Sequence, residues 1–379
     1  MRAHNFCAGP CTLPLDVMEE VQAELLDFRG SGMSVIEMSH RSPEYEAVHE
    51  EALTLFRENA AVPENHTILF LQGGATLQFA IVPMNLLVEG SSAAYVRSGT
   101  WGAGALKDAA AWGAAYAAWD GEPRSFTRMP SDDELEIRPD TRYLHITSNE
   151  TIEGIRMGSF PDIDLPLVGD MSSDYLSRPV PWERFDLVYG GAQKNLGPAG
   201  LAVVVVRTSL LDTMNQDLPS YLRLGAHAGK NSLMNTPSMF AIYVTGKVLR
   251  WMRDLGGVVG MEERAARRSG AVYEAIDGSE GFYRSPVERA HRSHMNVVFR
   301  TPSDELDAAF LEGAEKEGLL NLKGHRSVGG IRASIYNAMT DDGVDALVGF
   351  MTSFRDSGRD PGRDPGRDSG RDSGRDAGR

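Results

Sequence analysis

Short apolar runs alternate with helical patterns along most of this chain, and this alternation limits the folds that the chain can adopt. Apolar runs bounded by turn residues occupy positions 67–71, 92–96, 143–147, 165–168, 185–189 and 201–206. Apolar residues recur at helical spacing in 15–28, 75–87, 103–112 and 236–255. Strands that alternate with helices form βαβ units, and strands that are apolar throughout are covered on both faces. The sequence therefore predicts an α/β fold built on a mainly parallel sheet.

The pattern changes after the glycine pair at 256–257, and a second domain is expected from there. Helix and strand patterns of this later part lie at 262–277, 294–300, 305–317 and 331–335. We therefore predict a large domain over 15–258 and a smaller α+β domain over 259–354. The N-terminal segment, 1–14, is expected to pack with the smaller domain.

The last part of the chain, 355–379, has a composition unlike that of a folded domain. It repeats the tetrapeptide Arg-Asp-x-Gly six times before a final arginine. The segment has no large apolar side chain to bury, and glycine or proline interrupts every turn, so the entropy of ordering it is not offset. We therefore predict a disordered tail. Tandem arginines suggest RNA binding, but each is followed by an aspartate that cancels most of its field.

Charge and cysteine content exclude several classes of function. The chain has 379 residues and a formal net charge of −15 at pH 7, which argues against nucleic acid and anionic membranes as partners. No apolar run approaches the ~20 residues of a membrane span, and the first residues lack the apolar core of a signal peptide. Two cysteines, Cys7 and Cys11, are too few for a disulfide framework or a zinc site. We therefore expect reduced thiols in a cytoplasmic protein without a metal.

Chemically informative residues follow the predicted strands, where ligands gather in an open α/β sheet. They are the turn Gly73-Gly74-Ala75-Thr76, Trp101 in a glycine-flanked loop, Thr151 in the polar loop 149–154, Asp170 and Lys194. Glycine lets a backbone approach a ligand, and a helix N-terminus offers free N–H groups to a phosphate. A lysine among small residues can become nucleophilic, because burial lowers the pKa of its amine. Each feature alone also fits a plain turn, a helix cap or an exposed lysine.

Together, these residues resemble the fold-type I pyridoxal phosphate enzymes. The resemblance implies that Lys194 forms a Schiff base with the cofactor aldehyde and that Asp170 pairs with the pyridinium nitrogen. It also implies that Trp101 stacks on the cofactor ring and that Thr151 hydrogen-bonds the phenolic oxygen. The amides implied to hold the cofactor phosphate are those of Gly74, Ala75 and Thr76.

Longer strings narrow the resemblance to the phosphoserine aminotransferases, a family of the class V branch. The matching strings lie at 5–10, 38–42, 73–79, 83–86, 149–152, 191–195, 235–238 and 324–337. The family implies a large domain with a mainly parallel sheet of the seven-stranded type and a smaller α+β domain. It implies a homodimer with shared active sites, in which Asn235 and Thr236 reach the cofactor phosphate of the neighbouring subunit and Gln193 contacts it as well. The substrate-binding residues that it implies are His40, Arg41, His325, Arg326 and Arg332.

The activity that the family implies is a reversible amino transfer in serine biosynthesis. L-Glutamate and 3-phosphohydroxypyruvate would give 2-oxoglutarate and O-phospho-L-serine, with Arg332 on the substrate α-carboxylate and the His-Arg pairs on the phosphate. The family also implies formation of 4-phosphohydroxy-L-threonine in pyridoxine biosynthesis.

Three alternatives stay open from the sequence. A serine–glyoxylate or alanine–glyoxylate type of aminotransferase would not need a second anion site. A desulfurase would need a nucleophilic cysteine on a loop near the site, and the two thiols of this chain are both near its start. A non-catalytic binding protein on the same fold would have no reason to keep both Lys194 and Asp170.

Overall fold

The computed structural model describes residues 2–359. Its helices are α1 (Leu15–Glu24), α2 (Pro43–Ala60), α3 (Gly74–Leu86), α4 (Thr100–Trp112), α5 (Thr208–Leu211), α6 (Leu224–Ala228), α7 (Met239–Asp254), α8 (Gly257–Asp277), α9 (Asp304–Lys316) and α10 (Asp341–Arg359). Its strands are β1 (His4–Asn5), β2 (His66–Gln72), β3 (Ser92–Arg97), β4 (Ala114–Asp120), β5 (Thr141–Thr147), β6 (Asn149–Glu150), β7 (Ile155–Arg156), β8 (Leu167–Asp170), β9 (Leu187–Gly191), β10 (Leu201–Arg207), β11 (Asn296–Phe299), β12 (Leu319–Leu320) and β13 (Ile331–Ser334).

A seven-stranded sheet in the order β2-β10-β9-β8-β5-β3-β4 forms the centre of the larger part. Strand β10 runs antiparallel to both of its neighbours, and the other adjacent pairs are parallel. Val203 and Val205 pack into the core cluster that includes α2 and α7, whereas Val204 and Val206 pack into the cluster that includes α3 and α4. The sheet is therefore covered on both faces, and the predicted α/β fold with a mainly parallel sheet is confirmed.

The parallel strands bring distant residues to one edge. Thr147 pairs with Asp170, and Asp170 pairs with Tyr189 on the next strand. Helix α4 begins three residues after β3 ends, and Lys194 lies three residues beyond the end of β9. The strand ends that the sequence singles out therefore meet at the same edge of the sheet.

The later part of the chain has a core of its own. Strands β11 and β13 pair antiparallel, and Phe299, Phe310 and Ile331 are buried in one cluster. Strand β1 pairs in parallel with β12, and Phe6 belongs to the same cluster. The division into the segments 1–14, 15–258 and 259–354 itself stays a prediction.

The start of the predicted tail is wrong. Helix α10 continues to Arg359, so residues 355–359 are helical. Phe354 explains this, because its ring packs against Phe310 and Phe350 and holds the last turns of the helix on the core. The remainder of the predicted tail, 360–379, lies outside the described residues.

Some elements were not predicted, and others end later than expected. Helix α2, strand β4 and helix α10 were not anticipated, and strands β8 and β9 each extend two residues beyond the apolar run that predicted them. The extension of β8 places Asp170 within the sheet. No helix between residues 2 and 359 is both long and apolar enough to cross a membrane.

We expect Phe310→Ala to destabilise the folded chain. The Phe310 ring is 0% exposed and contacts Phe299, Tyr283 and Phe354, so its removal leaves an apolar cavity. The free energy of unfolding, measured by urea denaturation, should fall by about 3–5 kcal/mol. The exposed Val259→Ala should change it by less than about 0.5 kcal/mol. Equal effects of the two substitutions would contradict this assignment of the core.

Candidate active site

A cavity of about 300 Å³ opens where the parallel strands end. Most of the residues that the sequence assigns to a cofactor or substrate line it. Those residues are Ala75, Thr76, Trp101, Thr151, Asp170, Gln193, Lys194, His325 and Arg332. The other lining residues are Ala8, Gly9, Phe79, Thr147, Asn149, Ile152, Ser172 and Ser173.

Lys194 is the nucleophile that this cavity offers. Its side chain is buried, and its Nζ donates a hydrogen bond to Oγ1 of Thr151 at 2.6 Å. The same nitrogen lies 5.6 Å from the centroid of the Trp101 ring. Burial lowers the pKa of the Lys194 amine from its ordinary 10.5 to about 8, although the nearby Asp170 and Glu150 carboxylates act in the opposite direction. A substantial fraction of this amine is therefore neutral, and reactive, near neutral pH.

Asp170 supplies a buried carboxylate at the same strand edge. Its Oδ1 accepts hydrogen bonds from the backbone N–H of Ser172 at 2.9 Å and from the Ser172 hydroxyl at 2.5 Å. Burial raises the pKa of Asp170, while the bonds from Ser172 and the charge of Lys194 lower it. The carboxylate is thus held in one orientation and can pair with a cationic N–H of a ligand.

The N-terminus of α3 forms another wall of the cavity. Gly73 is the N-cap, with a φ of 94° that favours glycine, and no side chain caps the helix there. The first backbone N–H groups of the helix are therefore available to an anion, and Ala75 and Thr76 line the cavity. Gly74 begins the helix, but it is not among the residues that line the cavity.

Arg332 and His325 also line the cavity. Arg332 donates from Nη1 to the backbone oxygen of Thr151 at 3.4 Å, and burial lowers its pKa. His325 is half-buried, and its Nδ1 lies 2.7 Å from the Ser327 hydroxyl. Arg326 is exposed and is not among the lining residues. An anionic substrate end can therefore contact Arg332 and His325 within one chain.

The remaining predicted residues lie away from this cavity but close to one another. Thr236 Oγ1 and His40 Nδ1 are 3.2 Å apart, and the neighbouring Arg41 and Asn235 are exposed. None of these four residues lines the cavity of its own chain.

Several lining residues carried no prediction. Ser172 orients Asp170 through two hydrogen bonds. The sequence feature that could have indicated this role is a hydroxyl residue two positions after the aspartate. Gly9 has a φ of 141°, and a Cβ there would lie 3.5 Å from Cγ of Lys194. No periodicity could have placed this short N-terminal segment beside a lysine so distant in sequence.

The cavity walls fit the cofactor that the sequence predicts. Nε1 of Trp101 and Oε1 of Gln193 are buried without a hydrogen-bond partner among the described residues. Buried polar atoms are normally satisfied, so these two atoms favour a polar ligand in the cavity. An aromatic face, an open helix N-terminus, a buried amine and a buried carboxylate suit the ring, phosphate, aldehyde and ring nitrogen of pyridoxal phosphate.

Comparison with known proteins finds close similarity over nearly the whole chain. The model of the family described as Aminotransferase class-V matches residues 3–347. Phosphoserine aminotransferase of Laribacter hongkongensis (strain HLHK9) is 50% identical over 351 residues, covering 93% of this chain and 98% of the relative. The solved phosphoserine aminotransferase from Bacillus circulans subsp. alkalophilus has a TM-score of 0.92 at 48% identity, covering 94% and 99% of the two chains. A structure of phosphoserine aminotransferase bound to pyridoxal phosphate, from Trichomonas vaginalis, has a TM-score of 0.89 at 37% identity, covering 93% and 100%.

We predict that the amine of Lys194 titrates near pH 8 in the chain free of cofactor, because burial penalises the ammonium form. Its rate of acetylation, followed by mass spectrometry across pH 6–11, should have a midpoint near 8. Lys316 serves as the control within the same sample, because Glu312 raises the pKa of that exposed amine above its ordinary value. A Lys194 midpoint at or above that of Lys316 would contradict the prediction.

Proposed function

The chain belongs to the aminotransferase class-V family, and we propose that it transfers an amino group reversibly between L-glutamate and 3-phosphohydroxypyruvate. The products are 2-oxoglutarate and O-phospho-L-serine. The observation that carries the proposal is one cavity lined by the buried Lys194 and Asp170 together with Arg332 and His325. Relatives named phosphoserine aminotransferase, at 48% and 50% identity over most of their length, support the same substrate.

The cofactor in this proposal is pyridoxal phosphate. Lys194 would hold it covalently, Asp170 would hold a proton at its ring nitrogen, and Trp101 would cover one face of the ring. Its phosphate would lie at the backbone N–H groups of Ala75 and Thr76 and near Gln193. When bound, the cofactor supplies an electron-withdrawing ring that stabilises negative charge at the substrate α-carbon.

Lys194 is proposed as the general base and acid of the reaction. With its pKa lowered to about 8, its Nζ would take the proton from the substrate α-carbon and deliver it to the former aldehyde carbon of the cofactor, as amino transfer requires. Thr151 Oγ1, 2.6 Å from Nζ, keeps the amine oriented in the cavity. The buried surroundings limit the access of water, which would otherwise compete for the proton.

The substrate site is proposed to bind two anionic ends separately. Arg332 would take the α-carboxylate, because its planar guanidinium can donate two parallel hydrogen bonds. His325 and the exposed Arg326 of the same subunit would bind the substrate phosphate. His40 and Arg41 are the further cations that the family resemblance assigns to this phosphate.

A homodimer with shared active sites follows as part of the proposal. His40, Arg41, Asn235 and Thr236 cluster outside the cavity of their own chain; His40 is half-buried, and the other three are exposed. A second subunit would let this cluster reach the partner's cavity, where His40 and Arg41 would bind substrate phosphate and Asn235 and Thr236 the cofactor phosphate.

Two further points belong to the proposal. We place the protein in the cytoplasm, since Cys7 and Cys11 are both free thiols. Formation of 4-phosphohydroxy-L-threonine stays a prediction from the family resemblance.

The proposed reaction is tested with the purified protein loaded with pyridoxal phosphate. O-phospho-L-serine should convert the visible absorption band to the near-ultraviolet band of the aminated cofactor, and 2-oxoglutarate should restore it. Lys194→Ala should lower kcat by about 10⁴-fold or more, because the general base is lost with the covalent link. A band that responds to serine or alanine but not to phosphoserine would contradict the substrate and favour the glyoxylate-type alternative.

Shared active sites are tested by pairing two inactive variants. A heterodimer of Lys194→Ala and the double variant His40→Ala/Arg41→Ala, purified through two different tags, contains one complete site if the sites are shared. It should have about half the activity of the wild-type dimer. If each subunit instead completes its own site, the heterodimer should be no more active than the average of the two parent homodimers.

A further inference from the structure

Two buried glutamates hold the start of helix α4, which carries Trp101. Oε1 of Glu150 accepts hydrogen bonds from the Ser98 hydroxyl at 2.9 Å and from the backbone N–H of Gly102 at 2.8 Å. Its Oε2 accepts from the backbone N–H of Trp101 at 3.0 Å. Glu153 takes the preceding N–H, that of Thr100, at 2.9 Å. The first N–H groups of the helix are therefore satisfied by carboxylates from a distant turn.

This arrangement replaces an ordinary helix cap. A helix start is usually capped by a serine, threonine, aspartate or asparagine of its own chain segment, or by water. Here the N-cap is Gly99, and a Cβ at that position would lie 2.6 Å from Oε2 of Glu153 and 2.7 Å from Cδ of Glu150. The carboxylates occupy the space that a capping side chain would fill.

The same glutamates belong to the turn that presents Thr151. Glu150 and Glu153 lie on either side of Thr151. The backbone N–H of Gly154 donates to the backbone oxygen of Glu150 at 2.9 Å and closes the turn. Glu150 therefore links two cavity walls, the one that carries the Trp101 ring and the one that carries the Thr151 hydroxyl. Burying a carboxylate completely costs free energy, and Glu150 is fully buried. This cost argues that Glu150 does more than cap the helix.

We propose that Glu150 is a positioning residue, which fixes the ring of Trp101 relative to the hydroxyl of Thr151 before the cofactor binds. The inference rests on the proposed function, because these two side chains are the ones assigned to the face and the edge of the pyridoxal phosphate ring. Glu150 does not touch the cavity itself and acts through its neighbours.

The two glutamates have different roles in this proposal. Burial raises the pKa of both carboxyls, and their proximity adds to the effect on Glu150, so the pair holds one proton more easily than none. Three donors surround the oxygens of Glu150, whereas Oε2 of Glu153 has no partner among the described residues. Both oxygens of Glu150 are therefore needed as acceptors, whereas at Glu153 only Oε1 is needed, which accepts from the backbone N–H and the hydroxyl of Thr100.

This asymmetry supplies a matched pair of variants. In Glu150→Gln, the amide oxygen can keep two donors, but the amide NH₂ replaces the other acceptor and meets a donor at close range. In Glu153→Gln, the amide oxygen can still accept from Thr100, and the NH₂ takes the place of Oε2, which has no partner among the described residues. The two substitutions are chemically identical, but only the first removes an acceptor that the geometry requires.

The experiment measures the visible circular dichroism of the bound cofactor, which reports how rigidly its ring is held. In Glu150→Gln, the dichroism per unit of visible absorbance should fall below about half of the wild-type value, and the Kd for pyridoxal phosphate should rise about tenfold. The kcat for phosphoserine should fall about tenfold while its KM changes by less than about twofold, because Arg332 and His325, the residues assigned to substrate binding, are untouched. Glu153→Gln should stay within about twofold of wild type in all four quantities.

Wild-type protein measured alongside separates the two proposals. A wild type with no phosphoserine transamination would overturn the proposed function, whereas an active wild type with an unchanged Glu150→Gln variant would overturn the positioning role. Equal losses in both variants, or a lower melting temperature with unchanged dichroism, would also overturn it. If Glu150→Gln does not fold, Glu150→Asp keeps the carboxyl with a shorter reach; its dichroism per unit of visible absorbance should fall below the wild-type value, and an unchanged value would overturn the positioning role.

Discussion

The burial of one amine, that of Lys194, is the constraint on which the rest of the site depends. An ammonium group in a protein interior is unfavourable, and the neutral form that burial favours is the one that reacts. The carboxylates of Asp170, Glu150 and Asp174 favour the ammonium form, and Arg332 opposes it. None of these carboxylates forms an ion pair with Lys194 in the part of the chain that the structure describes. They act from a distance, so they moderate the pKa without removing the reactivity.

The fold brings Asp170 and Lys194 to the same edge of the sheet. Asp170 ends one of two neighbouring parallel strands and Lys194 follows the other, and each strand has a glycine, Gly169 or Gly190, where a side chain does not fit. A Cβ on Gly169 would lie 2.9 Å from the Phe185 ring, and one on Gly190 would lie 2.4 Å from the Tyr175 ring. The large aromatic residues beneath the strand ends thus require glycine in the strands themselves. This packing keeps the strands beside the site buried, and burial is what lowers the pKa of Lys194.

Local patterns could predict the sheet and the strand-end residues, because a buried parallel strand is apolar throughout and its ligand-binding end is known in advance. Helix α2 was not anticipated, although Ser42 and Pro43 at its start are ordinary helix signals. The roles of His40 and Thr236 came only from resemblance, since no spacing rule joins residues that distant in sequence. The function of Glu150 was missed for a related reason: its partners Ser98 and Trp101 precede it by about fifty positions, on a different strand and helix.

Two helix N-termini face the same cavity, and the chain treats them differently. The start of α3 has no capping side chain, so its N–H groups stay available to an anion. The start of α4 is filled by Glu150 and Glu153, whose oxygens already accept its first N–H groups and leave none of them for a phosphate. We therefore expect a phosphate-bearing ligand to place its phosphate toward α3 and to lie against the side chain that α4 presents. In an acidic protein whose overall charge is screened within about 8 Å, this local contrast between two similar helix ends favours one orientation of such a ligand.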